Sequence, residues 1–254
     1  MAREIAHDGS RAVGRGGAAA ANGAGDLEFV AGYVDSYTFL ALFGLFVAQV
    51  TGSFVIGGAE LVMHDTGVAG KLIAIVAFLV AAALTAGLIG WLRQQGRAAL
   101  PWMLAFETML LAAFTILLIV GPPIEGASDW HGIFAGLFGA MAMGTQSVIV
   151  RLLMRGIPQT NVMTGNMTQL GISSTELFLA WRRYARDPGD PTSEREFITV
   201  RSQLAVVLAI ATGFLLGAAC GAVAFAKAGL PGAPLAVALV GALTLWAAWR
   251  GRQA

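Results

Sequence analysis

Residues 72–92 read LIAIVAFLVAAALTAGLIGWL, with no Asp, Glu, Lys or Arg in the stretch. The hydrocarbon core of a bilayer is about 30 Å thick, and crossing it takes about 20 apolar residues. A run this long and this apolar is a transmembrane helix. Working outward, residues 130–150, 202–226 and 228–249 are equally free of those four residue types. The sequence predicts spans at 29–48, 72–92, 100–120, 132–152, 203–225 and 233–249. The expected fold class is an all-α membrane protein with about six transmembrane helices.

Composition agrees. The 254 residues are 57% hydrophobic and 12% charged, where a soluble domain carries about 25% charged residues. Net charge is +1, which gives no footprint for nucleic acid. The single cysteine, Cys220, excludes an intramolecular disulfide framework. His7, His64 and His131 lie far apart and offer no metal-ligand spacing. No Ser-His pair, HExxH helix or paired-acid motif is present, so neither an enzyme, a catalytic residue, a metal site nor a cofactor is expected.

Two further apolar stretches, 50–63 and 162–180, are shorter and are interrupted by Thr-Gly. They read as re-entrant or half-membrane segments. Irregular backbone survives at membrane depth only where protein or a water-filled cavity covers it. Topology follows from the basic residues. Arg3, Arg11, Arg15, Arg93, Arg97, Arg151, Arg155, Arg182, Arg183, Arg186, Arg195, Arg201, Arg250 and Arg252 fall on one side of the six-span arrangement, and Lys71 and Lys227 on the other. The positive-inside rule places both termini in the cytoplasm. Residues 1–27, rich in Gly and Ala, are expected to be a disordered cytoplasmic tail.

The chain also repeats itself. Val50-Thr51-Gly52-Ser53 is matched by Met163-Thr164-Gly165-Asn166, and Gly58 and Gly171 each follow their motif by the same interval. Each motif follows one full span and precedes two more. The halves are 28–125 and 126–254, each of three helices, and an odd number of spans forces the second half to enter from the opposite side. The expectation is a pair of inverted repeats with interrupted helices, an architecture of many secondary transporters.

Several of these residues carry a resemblance. Ala31-Gly32-Tyr33-Val34-Asp35 opens the first span and is followed by Phe46 and Thr51-Gly52. Ala142-Met143-Gly144-Thr145-Gln146 in the fourth is followed by Arg151 and Thr164-Gly165-Asn166-Met167-Thr168. Over about residues 28–250 the chain resembles the YoaK family of bacterial membrane proteins, also called DUF1275. The resemblance implies a polytopic protein of the bacterial inner (plasma) membrane and no agreed activity. Family members usually carry Asn where this chain has Ser53, and Gln-Asn-Ala where it has Gln146-Ser147-Val148. If Asn at those places binds a ligand, this member is expected to bind something different or to bind it less well.

The candidate site is polar and buried. Asp35 and Glu107 are the acids well inside predicted spans, and an intramembrane ionisable residue suggests a functional site. Asp35 and Glu107 are each expected about 10 Å in from the same surface at roughly 1.5 Å per residue. Gln146 arrives from the other side at that level, so the three could line one cytoplasm-facing cavity. The Thr-Gly breaks add Thr51, Gly52, Ser53, Thr164, Gly165 and Asn166, with free backbone groups at the ends of half-helices. The leading expectation is a small-molecule transporter or half-transporter acting as a homodimer, because six spans are few for a complete one. The other reading is a non-transporting scaffold or lipid-interacting protein using the arginine-rich fourth loop. The expected partners are the lipid bilayer and an unidentified small-molecule ligand. Stripes of small residues, Gly213/Gly217/Gly221 and Gly132/Gly136/Ala140/Gly144, are read as helix-packing faces.

Overall fold

The computed structural model describes residues 25–64, 66–154 and 163–251. The expected tail at 1–27 lies almost wholly outside these residues. Within them the chain is helical: α1 over 25–41, α2 (Val50–Met63), α3 (Val68–Gln94), α4 (Ala99–Val120), α5 (Trp130–Leu153), α6 (Met163–Arg186), α7 (Pro191–Ala228) and α8 (Pro234–Gly251), with a single 3-10 turn at Leu230–Gly232. Five helical segments (α3, α4, α5, α7 and Leu230–Trp249) are long and apolar enough to cross a membrane, the mark of a multi-pass membrane protein. All six tryptophans are exposed, with Trp91 and Trp102 near one end of the bundle and Trp130 near the other, as in an interfacial belt.

α1 is the central helix. Leu27, Val30, Ala31, Tyr33, Val34 and Tyr37 are all nearly inaccessible. α1 and α7 run parallel at close range. Gly213, Gly217 and Gly221 lie in turn against the backbone of Gly25, Phe29 and Tyr33, and Gly32 lies against the Phe214 carbonyl. Side chains at these positions would hold the two backbones apart. Tyr33 and Tyr37, stacked at 6.0 Å, tie α1 to the turn before α8: Tyr33 donates to the Gly232 carbonyl at 2.7 Å and Tyr37 to Gly229 and Leu230 at 2.9 and 2.8 Å.

The other contacts fix the relative directions. α3 and α5 are parallel, with Gly70 against Ile133, Gly144 against the Phe78 carbonyl, and Arg93 donating to the Leu152 carbonyl at 2.8 Å. α1 is antiparallel to α5: Leu42 packs on Gly132 and Gly136, while Leu27 accepts from Gln146. Thus α1, α4 and α7 leave the end that carries Arg93 and Arg151, and α3, α5 and α8 return to it. The small-residue stripes are packing faces within the chain, as their spacing implies.

Three boundaries differ from expectation. The first span does not continue to residue 48, because α1 stops at 41. Phe43 and Gly44 take left-handed backbone (φ 53° and 82°), and Gly44 N–H donates to the Phe39 carbonyl at 2.8 Å, a helix-closing bond. The polar stretch Asp187–Glu196, where Pro188 and Pro191 predict a loop, is not all loop. Asp190 caps α7 through the N–H groups of Thr192 and Ser193, and Pro191 opens the helix, where its missing N–H costs nothing. Finally, the segment expected at 162–180 begins outside the described residues and runs on as helix to Arg186. Its buried residues Asn166, Ser173 and Ala180 recur every seventh position, and α6 packs on α7. α7 is 38 residues long, roughly 57 Å at 1.5 Å per residue, so its first turns outrun a bilayer core of about 30 Å. There the α6–α7 hairpin is held by stacked Tyr184 and Phe197 and by the Arg183–Glu196 ion pair.

Candidate functional site

Asp35 sits on the buried face of α1 and is 2% exposed. Its carboxylate collects three backbone N–H groups from the segment between α1 and α2. Oδ1 accepts from Val47 at 2.8 Å and Ala48 at 2.6 Å, and Oδ2 accepts from Gln49 at 2.9 Å. These amides precede the first turn of α2, where N–H groups have no intrahelical acceptor. Asp35 is therefore a long-range anchor for the broken backbone, and the polar segment it holds is covered by protein as membrane depth demands.

The Thr-Gly motif begins α2. Thr51 is exposed, Gly52 half-buried and Ser53 buried. Ser53 donates to the Phe46 carbonyl at 2.7 Å, and Gly52 faces the Phe46 ring so closely that a Cβ would collide with it. The second motif begins α6 in the same register: Thr164 and Gly165 are exposed and Asn166 is buried, with its Nδ2 at 3.9 Å from Met163 Sδ. In both motifs the residue that follows Thr-Gly is buried. Asp35 and the first motif meet around the α1–α2 break. The second motif lies on α6, which packs chiefly on α7.

Glu107 and Gln146 form a separate group. Both are fully buried. Gln146 donates through Nε2 to the Leu27 carbonyl at 2.8 Å, which puts its amide at the Leu27–Glu28 turn of α1. Gly139 of α5 meets the Phe114 ring of α4. Seven residues further on in the antiparallel pair, on the same faces, Glu107 stands level with Gln146. Asp35 is two turns away, about 10 Å along α1. The expected single layer of Asp35, Glu107 and Gln146 is corrected accordingly: α1 begins before Glu28, so Asp35 lies deeper than a count from Glu28 suggests.

Sequence reasoning passed over Glu28, treating it as the edge of the first span. It is fully buried and seven residues before Asp35, hence on the same helix face. Both oxygens of Glu28, both of Glu107 and Oε1 of Gln146 have no hydrogen-bond partner among the described residues. Buried polar atoms without partners are rare in folded proteins, and each calls for an explanation. The available signal was the i, i+7 spacing of Glu28 and Asp35. Lys71 was also read as a loop residue, yet it is 2% exposed and pairs with Glu60 at 2.7 Å beside a small cleft lined by Leu42, Phe43, Gly67 and Ile133.

The family model described as "Protein of unknown function (DUF1275)" matches residues 26–247. No curated protein and no solved structure matches.

Proposed function

Since this chain belongs to the DUF1275 family, described as proteins of unknown function, we propose from its own geometry that it is a small-molecule transporter, or a half-transporter completed by a second copy. The observation that carries this reading is the recurrence of Val50-Thr51-Gly52-Ser53, which opens α2, in Met163-Thr164-Gly165-Asn166, the first described residues of α6. Discontinuous helices at corresponding places in two halves point to a binding site in secondary transporters.

An inverted repeat of two three-helix halves gives these contacts a common origin. Gly32 of α1 lies on the Phe214 carbonyl of α7, and Gly144 of α5 lies on the Phe78 carbonyl of α3. Thr108 of α4 and Thr244 of α8 meet hydroxyl to hydroxyl at 3.1 Å, as equivalent residues astride a two-fold axis would. In this reading Thr51, Gly52, Ser53, Thr164, Gly165 and Asn166 supply the substrate's polar contacts. Asp35 sets the geometry of the first break, and Glu107 with Gln146 forms a polar layer nearer the arginine-bearing end. The arginine bias supports a cytoplasmic position for that end and for both termini.

The test is a thermal-shift screen of the purified chain against pooled metabolites, beside Glu107→Gln and Thr51→Val. Glu107→Gln is preferred to Asp35→Asn because Asp35 holds backbone in place. A solute that stabilises wild type and neither variant identifies the substrate chemistry. Folded protein that no solute stabilises removes the transporter reading and turns attention to a scaffold role for the arginine-bearing hairpin.

A further inference from the structure

We propose that α2 is a gate at the end of the bundle away from Arg93 and Arg151, pinned at its start and locked at its far end by the Lys71–Glu60 ion pair. This rests on the transporter reading and gives it the element that moves. α2 is 14 residues long, roughly 21 Å at 1.5 Å per residue, and stops short of a bilayer core of about 30 Å. Its buried residues are Ser53 and Gly57, neither of which brings a large apolar side chain to the bundle. Phe54, Val55, Leu61, Val62 and Met63 are exposed. Lipid solvates such side chains as well as protein does, so a helix with this pattern is held by close packing and polar bonds.

Those bonds divide into a fixed end and a releasable one. At the start, Asp35 takes the N–H groups of Val47, Ala48 and Gln49, and Ser53 donates to the Phe46 carbonyl. Toward the far end Gly57 lies over the stem of Lys71. One turn on, Glu60 accepts from the Lys71 ammonium at 2.7 Å. The same ammonium reaches the Phe43 carbonyl at 3.4 Å, so one side chain of α3 ties down both the break and α2. Gly67 leaves room for this, because a Cβ there would fall 2.9 Å from Glu60 Oε2. Phe43 and Gly44 before α2 and His64 after it have left-handed backbone, and a few such element-terminal residues are what hinges are made of. Releasing the pair frees the far end of α2 together with Lys71, which lines the cleft shared with Leu42, Phe43 and Gly67.

The equivalent positions in the second half carry no charge. In the inverted-repeat reading Ser173 stands in α6 where Glu60 stands in α2, ten residues after the start of each motif. The Thr108–Thr244 interval of 136 residues also separates Phe78 from Phe214, the carbonyls under Gly144 and Gly32. The same interval puts Val207 where Lys71 stands. Ser173 and Val207 are both buried, in helices that pack on each other. The ionic lock therefore belongs to the α2 end.

The experiment uses the full chain in nanodiscs, with Cys220→Ser and spin labels on Met63→Cys of α2 and Trp130→Cys of α5, both exposed positions. Wild type is expected to give one main distance, and Glu60→Gln a second, longer one. A control pair on Ile116 of α4 and Phe134 of α5, also exposed, is expected to hold its distance. Amides of α2 are expected to exchange about tenfold faster in Glu60→Gln, while those of α4 do not change. Glu60→Gln combined with Lys71→Met leaves no buried charge unpaired and keeps the test standing if Glu60→Gln does not fold. A Met63–Trp130 distance unchanged in the folded variants overturns the gate. So does a control distance that lengthens with it, since the pair is then a strut of the whole bundle. A moving α2 without any solute hit upholds the lock and removes the transporter reading, whereas a solute hit with α2 fixed removes the gate alone.

Discussion

The carboxylate of Asp35 on α1 accepts the backbone N–H of Ala48 at 2.6 Å, thirteen residues on, across the break that separates α1 from α2. Its neighbours Val47 and Gln49 complete the set. Hydrogen bonds to a charged group contribute about 1.5–3 kcal/mol each. Asparagine keeps one acceptor oxygen and turns an NH2 group toward a donor. Asp35→Asn is therefore expected to lower stability by about 2–4 kcal/mol, read as a lower midpoint in detergent unfolding. An unchanged midpoint would show that the three bonds do not hold the break.

The spans were legible because their signal is composition: α3, α4, α5 and α8 fall close to the expected 72–92, 100–120, 132–152 and 233–249. Thr-Gly was expected to interrupt its two segments, but α2 runs unbroken from Val50 to Met63 and α6 from Met163 to Arg186. The level of Asp35 was not, because depth depends on where α1 begins, and Glu28 looked like a boundary residue. Nor could the sequence reveal that α1 is central. That follows from glycines on α7, remote in the chain, letting the two backbones touch. The hairpin tip was misread as loop because its charges hid a capped helix start.

Glycines on this interface and glycines facing outward should respond oppositely to a methyl group. A Cβ on Gly217 collides with the Phe29 carbonyl, and one on Gly221 with the Tyr33 carbonyl, whereas Gly87 and Gly90 have nothing within 4 Å. Gly217→Ala is expected to cost about 1–3 kcal/mol by overpacking. Gly87→Ala is expected to be neutral or to stabilise by up to about 1 kcal/mol through helix propensity. Unfolding midpoints of the two variants side by side decide this, and equal shifts would mean α1 and α7 are not in backbone contact.

Lys71 and Glu60 form an ion pair at 2.7 Å with side chains 3% and 14% exposed, and Lys71 also reaches the Phe43 carbonyl at 3.4 Å. Removing one partner of a buried pair typically costs about 3–5 kcal/mol, because the other charge is left unpaired, while replacing both with apolar residues is often neutral. Lys71→Met alone should therefore destabilise more than Lys71→Met with Glu60→Met. A double-mutant cycle measures the coupling, and additive effects would place both charges in contact with water.

The α6–α7 hairpin should carry its own pH dependence, set at Asp190. The N–H groups of Thr192 and Ser193 hold this carboxyl below the ordinary aspartate range. The cap is at full strength above the unfolded aspartate value of about 3.9 and is lost as pH falls through the lower folded value. Amide exchange at residues 192–196 is expected to stay constant from neutral pH to about 5, apart from its intrinsic pH dependence, and to gain protection loss only in stronger acid. Asp190→Asn retains a capping side chain and should flatten that acid response. Asp190→Ala should speed exchange at the tip already at neutral pH. The same acid response in Asp190→Asn as in wild type would assign it to Glu194 or Glu196, the other acids of the hairpin's second helix, instead of to the cap.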